Sequence, residues 1–492
     1  MIINETAPKS PPKTTTPLLG EASAAPPAYA PRNAPNPVTQ VPPAGPYVTY
    51  QPAGLAQRQT ETARRRFIKA LLVAVGIWLL ASAFFGSIFT GRRSHRHLQA
   101  IGTMSGYPVP GGVDLHECTT EWTAGPYTPS SSTPYSSFTA FNFSLPSKAL
   151  LLLSKGNLSA GHLRVSTGYK DQVEVKVTVN YNEEPVRDLA KVCLIKREEN
   201  EGGVGIFTPR WRGGSRPWNY RLSFDVELVL PISKTSAQRF VNTLLTDVNN
   251  FSQDLEIWEA FTFGNLTLQG SNGRIQSPGT LVAHEATLKT SNAKVEIRRL
   301  KSYAVSVQST NGPITGTYET TGPLYLRTSN AKIDVGVTVK SEGDSESIPL
   351  TMITSNAALS AGIELRSSSR QGGGTFPVEA QTSNHPLALS FNELPIDATL
   401  SLDGKTSNSR ANVSLPTTYE GKFSVVTSNA PTDVQRRNKN EPDPKGAKRT
   451  RTLTFDSVSK TRTKGTVHWD KDNANRGDVA VRSSNGPVTL VL

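Results

Sequence analysis

Cysteine, methionine and histidine are scarce in this 492-residue chain, with two, three and seven copies. Two cysteines exclude a disulfide-dense scaffold and a four-cysteine zinc site. The histidines are His95, His97, His116, His162, His284, His385 and His468. Only His95 and His97 stand at a metal-ligand spacing, and both lie in the basic flank of an apolar run, so no metal and no cofactor are expected. H-E-x-x-H, G-x-S-x-G, C-x-x-C and Walker sequences are all missing, which removes those routes to metal, nucleophile or nucleotide chemistry. Gly202-Gly203-Val204-Gly205 and Gly372-Gly373-Gly374 lack the strand–helix context that phosphate binding needs and read as loops. No catalytic residues are expected, and the chain is not read as an enzyme.

Charge is absent from Ala70 to Phe89. At ~1.5 Å per residue such a run spans about 30 Å, the thickness of a bilayer's hydrocarbon core. It has no polar face, as a buried core helix would. The residues ahead of it are too many for a cleaved signal sequence. The expectation is therefore one transmembrane helix, 67–89, acting as an uncleaved signal-anchor in the lipid bilayer. Arg58, Arg64, Arg65, Arg66 and Lys69 lie on its N-terminal side, against Arg92, Arg93 and Arg96 on its C-terminal side. That excess places the N-terminus in the cytoplasm and the C-terminal region outside the cell or in a lumen. Candidate N-glycosylation sites Asn142, Asn157, Asn250, Asn265 and Asn412 all follow the helix, and only Asn4 precedes it. Cys118 and Cys193 also follow it, and an exoplasmic compartment permits a disulfide between them, with two free thiols as the alternative.

Residues 1–66 form a Pro-rich tail, with 13 of the 35 prolines before residue 64 and few large apolar side chains. Such a segment buries too little to offset its ordering entropy and is expected to be disordered. Within it, Pro26, Pro27 and Tyr29 make a PPxY motif, the pattern docked by WW domains. Residues 90–136 read as a Ser/Thr/Pro-rich stalk. Residues 137–254 read as β-rich, since 171–179 and 220–230 alternate strictly. One short helix is expected over 236–248, where Phe240, Leu244 and Val248 fall at helical spacing and Ser236 offers a cap.

From residue 255 to 492 the chain repeats. A Ser/Thr-Asn step recurs at Asn272, Asn292, Asn311, Asn330, Asn356, Asn384, Asn408, Asn429 and Asn485. The first intervals are 20, 19 and 19 residues, later ones reach 28, and the last, of 56, leaves room for a degenerate copy. Apolar residues hold phase, six and four positions before each Asn and three and five after it. Around Asn330 they are Leu324, Leu326, Ile333 and Val335. Four before to three after is an odd step, so simple alternation would send Leu326 and Ile333 to opposite faces. The T-S-N-A/G step must turn the chain so that both strands face one core. A mainly β fold follows: a β-solenoid with a structural Asn at each corner, stacked into a ladder. An antiparallel sandwich with T-S-N in its hairpins is the alternative.

The reiterated pattern, as in Leu326-Arg327-Thr328-Ser329-Asn330-Ala331-Lys332-Ile333, resembles the "putative adhesin" (toastrack-like) domain family of unknown function. It is also similar to single-pass fungal membrane proteins that carry such repeats behind a Pro-rich tail. The resemblance covers roughly 255–492. It implies a right-handed β-solenoid, often membrane-tethered, without an established enzymatic activity. The uneven later intervals and the basic stretch around Arg436 depart from an even repeat.

That stretch holds Arg436, Arg437, Lys439, Lys445, Lys448, Arg449 and Arg451 among Asn, Pro, Gly and Asp, and reads as an exposed, solvated loop. No aromatic residues interleave with it, so nucleic acid is not an expected partner. Arg274, Lys294 and Lys332, each two positions after a repeat Asn, suggest a basic line along one side. Three function classes follow. One is a non-catalytic, adhesin-like domain that binds a glycan, a cell-wall polymer or a protein, or serves as a surface scaffold. Another is membrane-stress sensing or trafficking, with a WW-domain protein recruited at Pro26, Pro27 and Tyr29. The third is a glycan-active enzyme built on a β-helix, which would need Asp, Glu and Arg clustered in one groove.

Overall fold

The computed structural model describes residues 103–104, 106–125, 132–212, 219–232, 239–258, 261–342, 347–369, 372–437 and 440–492. The tail at 1–66, the span at 67–89, and Pro26, Pro27 and Tyr29 lie outside the described residues. Among those described, no helix is long and apolar enough to cross a membrane. The chain divides into two units, Met1–Arg96 and His97–Leu492, and the described residues all belong to the second.

Alternation builds the strands. In Val295–Gln308 the inward pairs Val295/Ile297, Leu300/Ser302 and Val305/Val307 are separated by the outward pairs Arg298–Arg299 and Tyr303–Ala304. At each outward pair the alternation resets and the chain bends without leaving the sheet. Successive coils pair in parallel, residue against equivalent residue. Ile275, Val295, Ile314, Ile333, Leu359, Leu387, Ala411 and Val488 form one column. Leu268, Leu288, Val307, Leu326, Met352 and Ala380 form another on the opposite side of the Asn corner. Leu326 and Ile333 are both buried, so the Thr-Ser-Asn step does turn two strands onto one core. Each such Leu, Ile or Val contributes about 1.5–3 kcal/mol on burial. No coil could hide its column alone, so the array folds as a unit. The parallel pairing excludes the antiparallel sandwich with T-S-N in its hairpins.

The coil starts earlier than the repeat. Ala149–Lys155 and Gly161–Gly168 pair in parallel with Arg239–Val248 and Phe251–Leu255, which continue into the later coils. Antiparallel strands close this end: Tyr135–Phe143 with Val173–Tyr181, and Asp114–Cys118 with Lys191–Lys196. Part of the 90–136 segment is thus folded, through Asp114–Cys118 and Thr123–Ala124, while 126–131 lies outside the described residues.

Two expectations need correction. The helix over 236–248 is instead the strand Arg239–Val248, with 236–238 outside the described residues. A spacing of four is even, so Leu244 and Val248 fit period two as well as a helix. Val241 takes the inward position ahead of the outward pair Asn242–Thr243, where the alternation resets, leaving Phe240 61% exposed. Parallel neighbours on both edges, Leu150 and Leu266 beside Leu244, fix the strand. Nor does the 56-residue gap hide a degenerate copy. It holds an antiparallel hairpin, Thr452–Val458 and Arg462–His468, after which the chain returns. Gly477–Ser483 then inserts between Thr399–Lys405 and Gly421–Thr427, parallel to both, and Val488–Val491 inserts between Ala411–Ser414 and Thr432–Gln435.

Candidate functional site

The Asn corners form one continuous ladder. Asn272 donates its amide to Asn250 at 2.6 Å, Asn292 to Asn272, Asn311 to Asn292, and Asn330 to Asn311. Asn356, Asn384 and Asn408 extend it, Asn485 donates to Asn408, and Asn429 donates to Asn485. Two further rows stack inside it. The carbonyl of Ser271 accepts from the backbone of Ser291 and Asn292, and later corners repeat this. The buried Thr290, Thr328, Thr354, Thr382 and Thr406 hydroxyls donate to carbonyls of the neighbouring coil. Each repeat Asn spends its side-chain amide on the next Asn of the row, so the row is a structural element.

Asn250, read as a glycosylation candidate, is the first rung, and it also donates to the Ser159 carbonyl at 3.1 Å. The repeat pattern misses it because Asn249 replaces the Ser/Thr of the step and two of its four inward positions are polar. Thr246 and Gln253 stand where apolar residues are expected, four before and three after. The Thr246 hydroxyl donates to Gln253 Oε1 at 2.6 Å, and Gln253 Nε2 donates to the Gln269 carbonyl. Asn142, Asn157, Asn265 and Asn412 are exposed. Cys118 and Cys193 lie opposite one another in an antiparallel pair and are disulfide-bonded.

The basic features differ from expectation. Arg274 pairs with Asp254 at 3.0 Å, Lys294 with Glu296, and Lys332 with Asp334, so the line beside the ladder is neutralised by carboxylates on the same face. The 436–451 stretch is not a free, solvated loop either. Arg451 is buried against Glu441, Arg449 holds Asp443 at 2.7 Å, and Lys445 reaches Asp397. Lys439 lies outside the described residues.

Two concave features stand out. One is a cleft of ≈ 990 Å³ beside the disulfide, between Leu115, Phe143, Pro146 and the Leu194–Gly203 hairpin. Of its acids, Glu198 is taken up by Lys148 and Glu201 by Arg197. The other is a groove crossing successive coils on the side remote from the Asn corner. It begins at Trp258, Thr280, Arg298, Arg299 and Thr317. It continues through Arg299, Thr317, Glu319, Thr338, Lys340, Glu364 and Arg366. It ends at Lys340, Arg366, Glu393, Asp397 and Lys445. The three stretches, of ≈ 500, 580 and 910 Å³, share residues at each join and so form one channel.

Its carboxylates are all compensated. Glu319 pairs with Arg299 at 3.1 Å, and Glu364 and Glu393 share Arg366 at 2.8 and 2.9 Å. Glu393 on Arg366 is the main reason the guanidinium binds its proton more tightly than usual. Partial burial would raise the Asp397 pKa, but Lys445 and Arg476 together hold it below the ordinary carboxylate value. Among the described residues, Arg298 and Lys340 have no ion pair. Sequence reasoning missed this groove because its members recur at no fixed residue type. They are outward positions of successive coils, brought together only by the parallel register. Among the described residues, no cluster of His, Cys, Asp and Glu suits a metal.

No protein-family model matches the chain, and no curated protein sequence matches it. Among solved structures it is similar to one described as a "putative cell adhesion protein" from Clostridium sporogenes ATCC 15579. The similarity covers 72% of this chain and 99% of that one, at 10% identity and a TM-score of 0.16.

Proposed function

We propose that this chain is a single-pass membrane protein whose β-coil is a non-catalytic, adhesin-like module, binding an extended polymer along the groove from Trp258 to Asp397. The continuity of that groove carries the reading. Its three stretches merge through Arg299 and Thr317, then through Lys340 and Arg366. A small ligand needs one enclosed pocket. An open channel that repeats hydroxyl, guanidinium and carboxylate groups coil after coil suits a chain of repeating polar units. The apolar run 67–89 supports the anchor. The exposed sequons and the disulfide support an N-terminus in the cytoplasm and a coil outside the cell or in a lumen. Pro26, Pro27 and Tyr29 would then face cytosolic WW domains, which links the same architecture to trafficking.

The groove also brings together Asp, Glu and Arg, the feature a glycan-cleaving site would need. Glu364 and Glu393 are nevertheless both occupied as acceptors of one Arg366 guanidinium. That is the arrangement of an ion-pair bridge, not of a proton donor facing a nucleophile or water. The test is retention of the detergent-solubilised full-length protein on immobilised polysaccharides, with reducing ends assayed in parallel. Salt-sensitive retention with no new reducing ends is expected. Absence of retention on every polymer at low salt, or release of reducing ends, overturns the reading.

A further inference from the structure

The groove is chemically uneven. At one end Trp258 is 60% exposed, although large aromatic side chains in this fold otherwise point mostly inward. Its indole rests on the next coil at Gly279, where a Cβ would stand 3.4 Å from Trp258 Cδ2 and 2.4 Å from the Ile257 carbonyl oxygen. Glycine there lets the coil close on the Ile257 carbonyl, with the ring in ordinary van der Waals reach beside it. One coil further on, Thr280 pairs with Arg299, and Arg298 projects beside it. Thr317 follows on the next coil and lines the same hollow. Four rows at ~4.8 Å separation span about 14 Å. Within that distance lie an exposed aromatic face, threonine hydroxyls and a guanidinium without an ion pair among the described residues. Arg299, adjacent in sequence, is spoken for by Glu319.

We propose that Trp258 and Arg298 form a subsite for an acidic sugar unit of a polysaccharide. The sugar ring packs on the indole, its carboxylate or sulfate meets Arg298, and its hydroxyls bond Thr280 and Thr317. The proposal rests on the polymer-binding reading above and adds the class of polymer. The sign of the charge follows from the groove's own balance. Glu319, Glu364, Glu393 and Asp397 are each paired to a cation, whereas Arg298 and Lys340 are left over. Nucleic acid fits less well. Its charge falls on every nucleotide and its bases use repeated stacking platforms, while this groove carries four carboxylates and a single exposed aromatic.

The test is affinity electrophoresis of the full-length protein through gels containing polygalacturonate, neutral dextran or single-stranded DNA. Trp258→Ala, Arg298→Ala and, as a control on the Asn corner, Lys332→Ala are compared with the parent. All three side chains are largely exposed, and matched unfolding midpoints verify the fold. The parent should be retarded by polygalacturonate more than by dextran. Trp258→Ala and Arg298→Ala should each weaken that retardation roughly ten-fold, Arg298→Ala should flatten its salt dependence, and Lys332→Ala should change nothing. Retardation by polygalacturonate that survives both substitutions overturns the subsite and leaves the polymer-binding reading standing. Stronger retardation by DNA, lost in both variants, overturns the glycan assignment. Absence of retardation by any polymer overturns the groove reading and the subsite with it.

Discussion

Asn485 donates its side-chain amide to Asn408, 77 positions earlier, at 2.7 Å, and accepts from Asn429 at 2.8 Å. The Asn corner latest in sequence is therefore an interior rung of the ladder, set between two corners that follow one another in sequence. Chain ends usually tolerate truncation, because few contacts tie them down. Here Gly477–Ser483 supplies one edge of each of its two neighbours with a parallel partner. Removing residues 477–492 should leave 399–435 open to proteolysis while the N-terminal coils stay protected. Continued protection of 399–435 would contradict the insertion.

The ladder itself makes a separate prediction. Asn330 both donates to Asn311 and accepts from Asn356. Replacing it with alanine removes two bonds and strands two neighbouring amides in a partly solvated row, at a cost of about 1–2 kcal/mol. The denaturant midpoint should fall accordingly. An unchanged midpoint would mean that water substitutes freely for the rungs.

Tyr318 is fully buried in the coil, and its hydroxyl has no hydrogen-bond partner among the described residues. Burial raises its pKa well above the ordinary phenol value. Tyr318→Phe keeps the ring and removes the unpaired oxygen, so it should stabilise the fold by about 1 kcal/mol. A loss of similar size, read from the same denaturation curve, would show that the hydroxyl is bonded after all.

Much of the coil was legible in the sequence because burial imposes period two and the Asn corner fixes the phase. Leu326, Ile333, Val481 and Val488 stand in columns that can be written down by counting from Asn. Legibility failed where a second interaction replaced the apolar one. Thr246 and Gln253 hide the first coil by bonding each other in the core. The even spacing of Leu244 and Val248 serves two periods at once. The insertion of Gly477–Ser483 leaves no local mark, since only strand pairing decides which neighbour a coil takes. The groove was illegible for a related reason. Trp258, Arg298, Thr317 and Lys340 occupy outward positions, which the core does not constrain.

The sequons divide by geometry. Asn142, Asn157, Asn265 and Asn412 are exposed, whereas Asn250 gives its amide to Ser159 and its oxygen to Asn272. In protein taken from its own membranes, glycans should map to the first four and leave Asn250 bare. Protease added outside sealed vesicles should reach only the N-terminal tail. A glycan on Asn250 would break the ladder assignment, and a protease-accessible, unglycosylated coil would reverse the proposed orientation.

A polymer lying along the groove would shield Lys340, and lysine labelling reads that shielding. Lys340 lines the groove, while Lys332 sits on the Asn corner paired with Asp334. The full-length protein is treated with an amine-reactive reagent with and without saturating polygalacturonate, and the modified peptides are quantified by mass spectrometry. Lys340 should be protected several-fold while Lys332 reacts as before. Equal labelling of Lys340 in both states, or protection at Lys332 alone, would contradict a polymer in the groove.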